Sequence, residues 1–287
     1  MRYAFIRDHL VPDYPVRLCC RTLGVSPSGY YHARVRPCSA RRRRRLELAE
    51  QVRSVHEQTR RVYGSPRLCR ELRRRGVGIC RNTTARLMRE AGLRSRRCRR
   101  FRPRTTDSSK TLAPAPNLLR HAPPPDRPGS VWVADITCIP LAGGFVYLAA
   151  VMDLCSRCIV GWALDDRLHV TLVDRALRVA VARHPPPAGL VHHSDRGVQY
   201  DSLAYRALLK RHGIVQSMSR RGDCYDNAAM ESFFATLKTE LVHDARFTDA
   251  TTAHDELFRY IEGFYNRQRL HSALDYRTPD HVHHMQT

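Results

Sequence analysis

Three carboxylates in this chain have the type and spacing for phosphoryl chemistry. Asp135 lies inside the apolar run VWVADITCIP, Asp195 closes the stretch GLVHHSD, and Glu231 falls within NAAMESFFATLKTELV. Residues 196 through 230 separate the last two, a span of 35. An acid among strand-forming apolar residues is costly unless something compensates its charge. A divalent cation is the natural compensation for Asp135. With no adjacent Cys or His ligand set, an all-oxygen site suits Mg²⁺ or Mn²⁺ rather than zinc. Two such ions about 3.5 to 4 Å apart can activate an attacking oxygen and stabilise a leaving oxygen at phosphorus. The expected chemistry is two-ion, in-line attack on DNA phosphodiesters by water, for cleavage, or by a 3′-hydroxyl, for joining.

The elements that must position these acids follow from periodicity. Strands are predicted over 131–139, 145–154 and 159–164, a helix over 170–183, and a short strand over 190–193 that delivers Asp195. A helix over 202–212, a strand over 214–218 and helices over 228–242 and 250–267 complete a mixed α/β layer fold. At about 100° per residue, Glu231, Ala235 and Lys238 share a helix face distinct from the apolar stripe of Phe233, Leu237 and Leu241. The stripe packs and leaves Glu231 and Lys238 to a cleft. RRGDCYDN, residues 220–227, reads as a mobile loop, so Glu231 is expected to stand away from the aspartates when metal and DNA are absent.

Charge identifies the partner. The sequence has 287 residues, net charge +22, and 49 Lys+Arg against 27 Asp+Glu. Residues 1–130 hold 32 basic and 9 acidic residues, and residues 131–287 hold 17 and 18. A basic arm joined to a near-neutral domain points to a polyanion, double-stranded DNA above all. Ten irregularly spaced cysteines do not form a disulfide framework, and no stretch approaches the ~20 apolar residues of a membrane span. The expected location is cytoplasmic and nucleoid-associated, with no membrane partner.

Within the basic arm, residues 16–35 read as two short helices, Ser26-Pro27 opening the second. They form either a DNA-touching helix-turn-helix or a plain helical hairpin. A helix over 46–58 follows, with Leu48, Val52 and Val55 on one side. The next pair is better defined: Ser65-Pro66 caps a helix stopped by Gly76, and Asn82 caps a second that ends near Gly92. Arg81, Asn82, Arg86 and Arg89 face outward there, a recognition-helix pattern. Arg96, Arg97, Arg99 and Arg100 add phosphate contacts that give affinity without base choice. Beyond them the Pro, Ser and Thr-rich stretch is either a disordered tether or a segment lying on DNA.

The smaller candidates have plainer readings. Cys155 and Cys158 form a lone CxxC suited to a packed thiol pair. His192 and His193 alternate along a strand, so one at most faces the acids. His281, His283 and His284 read as a frayed tail, and Trp132 and Trp162 as core.

The words CRTLGVSPSGYY, YGSPRLCRELRRRGV, ARLMREAGL, VWVADITCIP, HSDRGVQY, SMSRRGDCYDNAAMESFFATLKTEL and YNRQRLHSALDYRTP span residues 19 to 279. They resemble the integrase-core transposases of bacterial insertion sequences, relatives of retroviral integrases, in the second-reading-frame form. The resemblance implies an RNase H-like core and an acid triad on Asp135, Asp195 and Glu231. It also implies metal-dependent cleavage and joining at element ends, and places Lys238 near the cut DNA. The expected fold class is thus α/β, an RNase H-like mixed-sheet core preceded by an all-α helix-turn-helix region. The expected divisions are a helix-turn-helix-like segment over 1–40, a helix-turn-helix DNA-binding domain over 41–97 and a basic, proline-rich linker over 98–128. The catalytic core spans 129–245, and a helical extension with a tail spans 246–287. A homo-oligomer on DNA and an upstream-frame transposase product are the implied protein partners. A structure-selective nuclease on the same core, or a DNA-binding regulator with an inactive core, are the alternatives.

Overall fold

The computed structural model describes residues 2–11, 13–35, 39–96, 115–120, 122–219 and 227–285. Its centre is a five-stranded mixed sheet in the order β3-β2-β1-β4-β5. β1 (Val131–Leu141), β2 (Gly144–Asp153) and β3 (Ile159–Asp165) form an antiparallel meander. β4 (Val191–Ser194) and β5 (Val215–Met218) then add in parallel on the other side of β1. Parallel neighbours need helical crossovers, supplied by α7 (Val170–Arg183) between β3 and β4 and α8 (Leu203–Arg211) between β4 and β5.

Alternation along β1 divides the core. Trp132 and Ala134 pack with α7 and α8 on one face, whereas Val133 and Ile139 pack on the other. Gly161 on β3 lets α7 approach closely: a Cβ there would lie 2.4 Å from the Ala176 carbonyl oxygen. Both tryptophans belong to this core, as their strand positions predict. The opposite face is covered by α9 (Ala228–Leu237) and α10 (Ala250–Phe258). Each runs on into a π-helical segment, Lys238–Val242 and Arg259–Asn266 respectively.

Among the described residues, six α-helices fill the basic half. After α1 (Arg2–Phe5) and a π turn over Ile6–Leu10, α2 (Val16–Thr22) and α3 (Pro27–Val35) close a small cluster around Ile6, Cys20 and Tyr30. Ser26 caps α3 as expected, its Oγ accepting from the Gly29 amide at 2.9 Å. α4 (Ala40–Gln58) begins earlier than its apolar side suggests, because Ser39 caps it and carries the arginine run into the first turns. α5 (Ser65–Arg74) and α6 (Arg81–Glu90) follow. Two expected caps are corrected. Gly64 and Cys80 hold the cap positions with extended backbone, so Ser65 and Asn82 fall inside the first turns.

This helical module shares one continuous apolar cluster with the catalytic half, in which Val52, Leu68, Leu72 and Leu87 join Phe233, Leu237 and Phe264. Tyr63 is the central link: its hydroxyl accepts from the Leu270 amide at 2.8 Å and donates to the Gln268 carbonyl at 3.1 Å. The Arg60 guanidinium lies 5.8 Å from the Tyr260 ring centre, a cation–π contact. Within the proline-rich stretch, residues 116–118 lie along β5, where the Leu118 amide donates to Ser217 Oγ. A backbone segment placed there covers what would otherwise be an open sheet edge.

The C-terminal histidines are not a frayed tail. α11 (Pro279–His284) buries His283, whose Nδ1 is 3.1 Å from Ser156 Oγ while its Nε2 is 3.1 Å from His184 Nδ1. Ser156 in turn donates to the buried Asp153 carboxylate at 2.7 Å. No helix among the described residues is long and apolar enough to cross a membrane, and the described cysteines are free thiols.

Candidate active site

β1 carries Asp135 and β4 delivers Asp195. The parallel register pairs Val131 with Val191 and Val133 with His193. The paired register ends there; Asp135 and Asp195 each lie two residues beyond it, Asp195 just past the end of β4. Neighbouring strands are about 4.8 Å apart, so the ladder leads the two residues toward one another, and the Asp195 charge acts on Asp135. Each is held by its own local backbone: the Ile136 amide donates to Asp135 Oδ1 at 2.8 Å, and the Gly197 amide donates to Asp195 Oδ1 at 2.9 Å. Oδ2 of each has no protein hydrogen bond among the described residues.

Electrostatics connect Glu231 to the pair. The Asp135 carboxyl is pushed up to about 7 by burial first, then by the charge of Asp195, with Glu231 adding to the rise. Its own amide bond and the Lys238 ammonium pull the other way. Asp195 is also raised, again by burial, against the pull of the Gly197 amide. Lys238 is lowered by burial, while Cys138 and Asp135 oppose that shift. Glu231 on α9 and Lys238, the first residue of the following π-helical segment, thus both act on Asp135.

Glu231 does not join the aspartate pair. Glu231 is exposed, and among the described residues no three His, Cys, Asp or Glu side chains are grouped so as to hold a metal ion. The two aspartates make the fixed half of the site, and Glu231 influences Asp135 from outside a common ligand shell. Its preceding loop, residues 220–226, lies outside the described residues.

Three residues escaped the sequence reading. Gly197 is closely approached by the acid it supports: a Cβ there would lie 2.9 Å from Asp195 Oδ1, which would have to shift. Arg196 anchors the same turn by donating from Nε to the Ser219 carbonyl at 2.7 Å. Tyr200 is buried behind the pair, and the charges of Asp135 and Asp195 contribute to raising its hydroxyl well above the ordinary range after burial and Tyr205. The motif HSDRGVQY contains all three, but periodicity assigns none of them a role.

The neighbouring histidines serve structure. His193 bonds Ser217 Oγ through Nδ1 and Ser219 Oγ through Nε2, both at 2.9 Å. His192 points to the opposite face, 3.0 Å from the Tyr205 hydroxyl through Nε2. Of the expected DNA contacts, Arg81, Asn82, Arg86 and Arg89 are all exposed on α6. Arg96 instead reaches the catalytic half, 3.1 Å from Asp244 Oδ2. Arg97, Arg99 and Arg100 lie outside the described residues.

Known proteins share this plan. Residues 125–224 match the integrase core domain family, residues 212–279 match a second integrase core domain family, and residues 43–102 match an HTH-like domain. A 31 kDa protein of insertion element IS600 from Shigella sonnei is 43% identical over 260 residues, 91% of this chain and 95% of that protein. Transposase InsF of insertion sequence IS3A from Escherichia coli K12 is 38% identical over 283 residues, 98% and 97% respectively. Among solved structures, the HTLV-2 integrase catalytic core with magnesium aligns with 14% identity and a TM-score of 0.44, covering 55% of this chain and 99% of that one.

Proposed function

The chain belongs to the insertion-sequence transposases with an integrase core, the family of the IS3 and IS600 proteins, and on that premise we propose that Asp135, Asp195 and Glu231 hold Mg²⁺ or Mn²⁺ for cleavage and joining of DNA at element ends. Membership makes the protein a DDE-type polynucleotidyl transferase built on an RNase H-like core. The observation that supports the residue assignment is the Asp135 and Asp195 pair, two carboxyls side by side with raised proton affinity. Such a pair is costly unless a cation offsets it.

The donor set fits a hard divalent ion. Each aspartate accepts a neighbouring backbone amide on Oδ1 and leaves Oδ2 for a ligand, and exposed Glu231 on α9 would complete the set by moving toward them. When bound, two such ions would lower the proton affinity of an attacking oxygen and offset charge on the leaving one.

The chain's own groups have separable tasks. Asp135 must lose its proton before it can act as a ligand, and Lys238 helps by favouring its ionised form. Gly197 and Ile136 fix the two carboxylates through backbone amides, so their orientation does not depend on rotamer choice. Lys238, half-buried beside the acids, is suited to a phosphate near the scissile bond. Arg81, Asn82, Arg86 and Arg89 form an exposed face for duplex DNA, and Arg97, Arg99 and Arg100 would add phosphate contacts by their charge alone, whereas Arg96 is paired with Asp244. Action on DNA as a homo-oligomer, alongside an upstream-frame product, and residence on the nucleoid belong to the same reading.

The test is an incubation of the purified chain with a duplex carrying its element's terminus, with Mg²⁺, in the presence and absence of the upstream-frame product. Strand cuts at the terminus followed by joined products are expected. Cleavage without any joined product would favour a nuclease instead.

A further inference from the structure

On the far side of α9 from Glu231 lies a cavity of about 310 Å³ in which Arg67, Arg157 and Arg269 meet Ser232, Thr236 and His271. At about 100° per residue, Ser232 and Thr236 point some 100° to 140° away from Glu231 on the same helix. The cavity therefore lies outside the carboxylate cleft, yet shares the helix that carries its third acid.

Its charge is unbalanced. Arg269 is neutralised by Glu240, with Nε 2.9 Å from Oε2 and Nη2 2.7 Å from Oε1, and the Tyr260 hydroxyl completes that carboxylate at 2.7 Å. The Arg67 and Arg157 guanidiniums have no hydrogen bond or ion pair among the described residues, although the Arg157 amide donates to the Asp153 carbonyl at 2.8 Å. Neither is placed cheaply. Arg67 sits in the first turn of α5, where the helix dipole disfavours a cation, and burial lowers its proton affinity, with the Arg269 charge adding to this. Arg157 is held at φ 61, a left-handed conformation uncommon for a side-chain-bearing residue. His271 registers the combined field, pushed down to about 2 by burial and by Arg269, Arg67 and Arg157.

Two unpaired guanidiniums converging on a cavity with hydroxyl donors are the chemistry of oxyanion recognition, and Arg matches phosphate in a bidentate manner. We infer that this cavity is a phosphate site distinct from the carboxylate cleft, with Arg67 and Arg157 gripping one backbone phosphate of the bound DNA. The assignment to DNA rests on the proposed transposase reading; the oxyanion chemistry does not. A phosphate there would also hold the Ser232 and Thr236 face of α9, and so set the approach of Glu231 from the other side.

Arg157→Gly is the informative variant, because glycine accepts the φ of that position without strain while removing the guanidinium. It is compared with Arg67→Ala and the double variant in two measurements on the full chain. The first is the melting temperature in sodium phosphate against sodium chloride at matched ionic strength. The wild type should gain in phosphate and the double variant should not; an equal gain in both overturns the site. The second is the salt dependence of binding to a fluorescent duplex. Loss of one phosphate contact should reduce the log–log slope by about 0.9 and weaken affinity roughly ten- to a hundredfold. A lost phosphate effect with an unchanged slope overturns the DNA assignment and leaves free phosphate as the ligand. Glu231→Gln serves as the control on the underlying reading: joining that survives it removes the catalytic assignment without altering either binding measurement.

Discussion

Asp135 on β1 and Asp195, one residue past the end of β4, each lie two residues beyond the last pair of the parallel ladder, Val133 with His193. Their proximity is a property of the sheet register. A one-residue slip of β4 would turn Asp195 to the opposite face, so the fold and the site are specified together. The cost appears in the carboxyls, both of which hold protons more tightly than usual.

That cost predicts a trade between stability and activity. Asp135→Asn removes a disfavoured charge while keeping the shape and one acceptor oxygen. Without divalent metal at pH 8, the variant should be more stable than the wild type by on the order of 1–3 kcal/mol, a shift of several degrees. Added Mn²⁺ should raise the wild-type melting temperature and leave the variant's nearly unchanged. Joining activity should be lost. A less stable variant would show that Asp135 has a structural partner.

The pH dependence follows with a definite sign. Asp135 has a folded value near 7 against an ordinary 3.8. Its contribution to metal-free stability is therefore fully present below about pH 4 and is lost as pH rises through about 7. Activity should run the opposite way, since the ionised form binds cations. At low Mg²⁺ the rate should fall as pH drops through about 7, and the midpoint should move to lower pH as Mg²⁺ increases. A midpoint independent of metal concentration would detach Asp135 from the metal.

Gly197→Ala separates positioning from folding. The new Cβ would press on Asp195 Oδ1 at 2.9 Å and Gln199 Oε1 at 3.2 Å, both side-chain atoms able to move. Strand-transfer rate should fall about 10- to 100-fold, the range found when support of a metal ligand is lost, with the melting temperature little changed. An unaltered rate would mean that Asp195 does not depend on this amide.

Much of this was legible in the sequence, for identifiable reasons. Short apolar runs bounded by turn residues revealed β1 to β3, and the stripe of Phe233, Leu237 and Leu241 separated Glu231 from the packed face of its helix. What escaped depends on contacts between distant residues. His283 lies in a polar-looking terminus, and only its bonds to Ser156 and His184 make it core. Asn82 is a good cap by type, yet the chain at Cys80 is already extended and starts α6 earlier. The basic cavity joins residues from α5, the β2–β3 turn, α9 and the 269–273 segment, which no local pattern could assemble.

The union of the two halves can be tested at Tyr63. Tyr63→Phe deletes the hydroxyl shared by Gln268 and Leu270 and strands a buried amide. The expected loss is about 1–3 kcal/mol, read as a lower urea midpoint with an unchanged slope. A first transition confined to the helical module would show instead that the halves unfold separately.

The central claim is that three acids act together in strand transfer, and Glu231→Gln tests it most directly. A pre-cut, end-labelled duplex is incubated with Mn²⁺ and either wild type or variant, with DNA retention measured in parallel. Joined product from the wild type, its disappearance in the variant and retention within about twofold are predicted, since an exposed acid on α9 contributes little to holding a polyanion. Joined product from the Glu231→Gln protein at the wild-type rate would contradict the account.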